Sequence, residues 1–177
     1  MQKSLALSFV LFGILIPNTS YSEVTRCIDI DSKDWFAKNE KTERAHTKLC
    51  HIDPKESDLI KRVKSGIQGC PKQPVTSAFR NLSVARTLIR ETIVQNTQKI
   101  KAWFLKEKIG GNSAFNHSPR QSRPAGISVM QKNDQNATRG KACKDRDYIC
   151  EDVKKVTVVL RKLDKDRCFI LTAYPKN

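Results

Sequence analysis

Val156-Thr157-Val158-Val159-Leu160-Arg161-Lys162-Leu163-Asp164-Lys165-Asp166-Arg167-Cys168-Phe169-Ile170-Leu171-Thr172-Ala173-Tyr174 is the stretch on which the fold turns. Two runs rich in β-branched and aromatic residues flank the polar segment Leu163–Asp166, the pattern of an antiparallel hairpin. On a regular strand, residues two apart face one side. Thr172 and Tyr174 are therefore expected on one face, together with Cys168 and Ile170.

Upstream of the hairpin the pattern is helical. Ser32 is placed to cap a short helix carrying Trp35 and Phe36 and running to about Glu43. Asp53-Pro54-Lys55-Glu56 reads as a helix start, with Asp53 as the cap and Pro54 in the first turn. Leu59, Ile60 and Val63 give that helix its apolar side, and Gly66 and Gly69 end it. Ala85, Ile89, Ile93, Ile100, Trp103 and Phe104 recur at helical spacing, which predicts one long helix from about Leu82 to Lys108, stopped by Gly110-Gly111. Trp103 and Phe104 are expected in the core. The polar stretch Asn112–Lys144 reads as mostly loop, His117 included, with a short strand near Gly126–Met130. Helices first and strands last make this a single α+β domain.

The first residues carry a targeting signal. Lys3 precedes an uncharged apolar run from Leu5 to Ile16, and Ser20-Tyr21-Ser22 supplies small residues at the end. The run is short for a bilayer span, so residues 1–22 read as a cleaved signal peptide. Residues 23–45 then form an N-terminal extension and residues 46–177 the folded domain. An exported chain meets oxidising conditions. Its six cysteines, Cys27, Cys50, Cys70, Cys143, Cys150 and Cys168, are thus expected to form three disulfides, whose connectivity spacing leaves open. Cys143 and Cys150 are close enough in sequence to bridge each other. With no Cys-x-x-Cys and only three His residues, no metal or other cofactor is expected.

The formal net charge is +15, and it is uneven. Between Lys61 and Lys108 the many Lys and Arg residues meet only Glu91 and Glu107, and between Ile109 and Lys144 only Asp134. Glu23–Ile60 is mildly acidic. Such a field favours a polyanionic partner over a neutral one.

Four blocks in order bear a further resemblance: His46 through His51-Ile52; Leu59-Ile60-Lys61-Arg62-Val63; Thr76-Ser77-Ala78-Phe79 leading to Lys101-Ala102-Trp103-Phe104; and Val156–Leu160 followed by Ile170-Leu171-Thr172-Ala173-Tyr174-Pro175. From about His46 to Pro175 the chain resembles the bacterial ribonuclease A-like toxin domain found at the C-termini of contact-dependent inhibition and related polymorphic toxins. The resemblance implies a ribonuclease A-like architecture and cleavage of RNA to 2′,3′-cyclic phosphate ends without a metal. It implies that His51, Arg62, Thr172 and Tyr174 are catalytic. His46, Lys48 and Lys61 are the neighbouring groups expected to contact substrate. RNA is the expected partner, with an immunity or inhibitor protein as another, and the protein is expected to be a monomer without stable membrane insertion. The chain departs from the family pattern in its own signal peptide, its six cysteines, and Arg44-Ala45 where members usually carry Gly-Gly. A stand-alone exported ribonuclease, periplasmic or extracellular, fits these departures. The competing readings are a non-enzymatic cationic protein that binds nucleic acid or anionic envelopes, and a secreted deoxyribonuclease.

Overall fold

A computed structural model describes residues 27–30, 32–119, 124–134 and 140–177; the proposed signal peptide lies outside them. The order of elements is α1 (Trp35–Glu40), α2 (Thr47–His51), α3 (Glu56–Lys64), β1 (Val75–Phe79), α4 (Leu82–Gln95), α5 (Thr97–Lys106), β2 (Asn112–His117), β3 (Gly126–Gln131), β4 (Lys141–Ala142), β5 (Tyr148–Val153), β6 (Lys155–Lys162) and β7 (Cys168–Lys176). The strands form two antiparallel sheets, ordered β1-β3-β5-β4 and β2-β6-β7. The fold is α+β. No helix among the described residues is long and apolar enough to cross a membrane.

Each sheet buries one face against helices. α4 lies on β2 and β6, where Leu88, Ile89, Val156, Val158, Leu160 and Ile170 build the larger core. Trp35 and Phe36 of α1 belong to this core, so residues before 46 are packed into the domain. Trp103 and Phe104 pack against it too, as their spacing predicted. α3 covers one face of the other sheet with Leu59, Ile60 and Val63 against Ala78, Val129 and Tyr148.

The hairpin β6–β7 forms, but with a bulge. Val159 pairs with Thr172 and Leu160 with Ile170, so Leu171 is an extra residue on β7. A bulge resets the alternation of faces. Cys168, Ile170 and Ala173 point into the larger core, while Thr172 and Tyr174 line the opposite surface. The expectation that Cys168 and Ile170 share the face of Thr172 and Tyr174 is therefore wrong, and the disulfide of Cys168 lies in the core.

Other differences have local causes. α3 starts at Glu56 because Asp53 sits at φ 51° and Lys55 is extended, while the Asp53 N–H donates to the Phe79 carbonyl at 3.2 Å. The Asp58 carboxylate then accepts the Lys55 N–H at the true start. α1 likewise ends at Glu40. The single long helix is two, because Asn96 is buried at the junction and donates its side-chain amide to the carbonyls of Thr92 and Asn116. The strand expected near Gly126–Met130 forms as β3, while the rest of the segment read as loop also holds β2 and β4, and His117 ends β2 opposite Val156. Polar composition hid β2, because that strand buries only Phe115 fully.

All six cysteines are paired: Cys27–Cys168, Cys50–Cys70 and Cys143–Cys150. The Cys143–Cys150 bridge is the one short spacing suggested. The one potential ligand cluster among the described residues, Glu56 with Cys143 and Cys150, has both sulfurs committed to that disulfide.

Candidate active site

A cleft of about 920 Å³ opens where the edges of the two sheets, β1 and β7, come together. Its lining includes His46, His51, Arg62, Thr172 and Tyr174. Residues far apart in sequence thus converge. Lys48 and Lys61 are exposed and do not line this cleft.

His51 closes the short helix α2, which the Glu40 carboxylate caps by accepting the Lys48 N–H at 2.8 Å. One ring nitrogen of His51, Nδ1, lies 2.7 Å from the Ser77 carbonyl on the free edge of β1. A carbonyl only accepts, so Nδ1 carries the proton and Nε2 keeps its lone pair. The ring is buried, and loss of water, together with the nearby Arg62 charge, depresses its pKa to about 4. At neutral pH His51 is an uncharged base.

Arg62 reaches back along α3 toward the helix start. Its guanidinium donates to the Cys50 carbonyl at 2.5 Å, next to His51 in the chain. The side chain is 3% exposed, and its Nε has no partner. Burial lowers its pKa, yet a guanidinium stays charged. A buried cation that lines a cleft with no carboxylate paired to it among the described residues is fitted for an anion.

Tyr174 places its ring 5.4 Å from that of His51, and the His46 ring lies 6.4 Å from that of His51. The Thr172 hydroxyl is buried without a partner, as is that of Ser128 on β3. Unsatisfied buried hydroxyls cost free energy unless a ligand completes them. Arg62, Thr172 and Ser128 thus each line the cleft and each hold a buried polar atom without a partner.

The strand bearing Thr172 and Tyr174 is fixed from outside its sheet. β7 is an edge strand, and helices α1 and α2 take up its free backbone groups. Asn39 accepts the Ile170 N–H at 2.7 Å and donates to its carbonyl at 2.9 Å. The His46 N–H meets the Leu171 carbonyl at 3.2 Å, and Thr47 Oγ1 accepts the Ala173 N–H at 3.0 Å.

The sequence matches the family model of the bacterial CdiA-CT RNAse A domain over residues 45–175. The chain belongs to this family. A crystal structure of a CdiA-CT/CdiI complex from Y. kristensenii 33638 has a similar fold, with TM-score 0.52 and 20% sequence identity over 72% of this chain and 95% of that chain. No curated protein matches the sequence. The protein is thus a member of a toxin ribonuclease family, and the described residues build a mixed helical and antiparallel fold stapled by three disulfides.

In this CdiA-CT RNAse A domain the cleft also gathers cations that sequence reading missed: Lys154, Lys155 and Lys176. Lys155 and Lys176 are direct cross-strand partners. Like charges so placed repel, which an anion between them would reverse. The doublet Lys154-Lys155 was the available signal. Asn39 and Thr47 gave none, because their partners lie 131 and 126 residues away.

Proposed function

We propose that this protein is an exported endoribonuclease that cleaves RNA by internal attack of the ribose 2′-oxygen. The observation that carries the reading is His51: neutral, with Nδ1–H tied to Ser77 and Nε2 left to accept a proton beside the idle donors of Arg62 and Thr172. His51 Nε2 takes the 2′-hydroxyl proton as that oxygen attacks phosphorus. Arg62 and the Thr172 hydroxyl hold the non-bridging oxygens as charge grows on them. The bond from phosphorus to the 5′-oxygen then breaks, and the leaving oxygen takes the Tyr174 phenolic proton. The Tyr174 and His51 rings lie side by side in the cleft, and the proton His51 acquired is returned to the Tyr174 phenolate through solvent. The products are a 2′,3′-cyclic phosphate and a 5′-hydroxyl. These steps use side chains alone, so the reaction is expected to proceed in EDTA.

The net charge of +15 and the cleft lysines support RNA as the partner. The similar structure is a complex with CdiI, and on that likeness we assign this chain a protein inhibitor as a further partner. The apolar run at residues 5–16 and the fully paired cysteines support export.

RNA carrying 2′-deoxy or 2′-methoxy sugars tests the mechanism, because the phosphate charge remains while the nucleophile is removed. Modified strands are expected to bind with steep salt dependence and resist cleavage, while natural RNA gives cyclic-phosphate ends in EDTA. Cleavage of the modified strand would exclude internal attack. Salt-sensitive binding with natural RNA left intact would favour the cationic binder.

A further inference from the structure

The floor of the cleft is a row of side chains crossing the four-stranded sheet. Ser77 on β1 pairs with Ser128 on β3, and Ser128 pairs with Glu151 on β5. Directly paired residues of antiparallel strands project from the same face. The adjacent row on that face places Val75 opposite Met130. All five of these residues line the cleft, which confirms that this face is the one that looks into it. Ser128 is 3% exposed and its hydroxyl has no partner. The Glu151 carboxylate is half-buried and makes no ion pair or hydrogen bond among the described residues.

The Ser77 carbonyl anchors His51, so the row starts at the proposed point of chemistry. Two strand spacings, roughly 10 Å, separate Ser77 from Glu151. That is about the reach from a scissile phosphate to the far edge of its own base. An apolar patch of Val75 and Met130 lies beside two polar groups at the end of this span. Such a floor suits a flat heterocycle better than a phosphate, which a carboxylate would repel.

We propose that Ser128 and Glu151 form the base-binding subsite, and that it selects cytosine over uracil. The inference rests on the ribonuclease reading. A carboxylate only accepts hydrogen bonds, and the cytosine N4 amino group donates. The Ser128 hydroxyl donates to the neighbouring ring N3. Uracil presents a carbonyl oxygen where cytosine has its amino group, so Glu151 would face a lone pair. Sites whose buried polar groups are left unpaired reject the wrong ligand strongly.

The test compares cleavage of the dinucleotides CpA and UpA by the full mature chain, its E151Q variant and its S128A variant. Wild-type protein is expected to favour CpA by about tenfold or more in kcat/KM. E151Q is expected to bring the ratio within about threefold, because an amide can donate to the uracil carbonyl. A parallel measurement of 3′-CMP and 3′-UMP binding reads the subsite without turnover. There, wild-type protein should prefer 3′-CMP, E151Q should lose the preference, and S128A should weaken 3′-CMP by about fivefold, the scale of one hydrogen bond. An unchanged CpA to UpA ratio in E151Q, or equal binding of the two nucleotides by wild-type protein, would overturn this subsite while leaving ribonuclease activity standing. Selective binding without cleavage would uphold the subsite and overturn the reaction.

Discussion

Asn39 holds both backbone polar groups of Ile170, at 2.7 and 2.9 Å, across 131 residues of sequence. Asn39 is buried, and Ile170 adjoins the bulge that turns Thr172 toward the cleft. Asn39→Ala would leave the Ile170 N–H and carbonyl buried without partners. A loss of about 2–4 kcal/mol is expected, at roughly 1–3 kcal/mol per unsatisfied group tempered by relaxation. Urea unfolding measures it. RNA cleavage by the folded variant should also fall, because the bulge is no longer clamped; full activity at reduced stability would show that the bulge holds without Asn39.

His51→Ala should reduce RNA cleavage by about 10²-fold or more, the usual scale for a general base. Circular dichroism should show the fold retained. A variant cleaving at the wild-type rate would remove His51 from the reaction.

The buried, neutral state of His51 also predicts how stability depends on pH. The unfolded chain binds a proton on this residue below about 6.5, while the folded chain does so only near 4. Between those values the unfolded state holds more protons, so stability falls as pH drops from 6.5 to 4 and levels off below. The full effect is up to ~3 kcal/mol. Thermal unfolding across this window should show the slope, and His51→Gln should remove most of it. In cleavage assays the base remains active down to about pH 4 in the free protein, well below the usual histidine range.

Gly126 starts β3 opposite Phe79, and a Cβ there would stand 2.0 Å from the Ala78 carbonyl oxygen and 2.7 Å from the Pro175 ring. Nothing in the backbone of β1 can yield that distance cheaply. Gly126→Ala is expected to lower stability by at least ~2 kcal/mol, on the scale of overpacking, and to part β3 from the strand that carries Tyr174. A melting temperature equal to wild type would show that the three strands move apart freely.

Residues governed by local rules were legible in the sequence. The α3 apolar side, the α4 periodicity and the β6–β7 hairpin each depend on neighbours a few positions away. The convergence of His51, Arg62, Thr172 and Tyr174 was expected only through family resemblance, since no local pattern brings residue 51 to residue 174. What sequence hid was set by distant partners. The bulge at Leu171 adjoins Ile170, whose backbone meets Asn39, the Asp53 N–H ahead of α3 meets the Phe79 carbonyl, and Asn96 at the helix break meets the Asn116 carbonyl. β2 escaped notice because its residues are mostly polar and only Phe115 is fully buried.

Cys50 and Cys70 are joined across a sequence separation of 20, and both His51 and Arg62 lie between them. The proposed base and its cation therefore belong to one closed macrocycle, which survives even when the rest of the chain is denatured. A protease that cuts once between Ile52 and Gly69 linearises the ring without releasing either residue. A thiol reductant does the reverse, leaving the backbone whole while His51 and Arg62 lose their shared covalent frame. His51 and Arg62 are thus joined by two covalent routes, the backbone between them and the Cys50–Cys70 bridge, and only the second answers to the redox state of the surroundings.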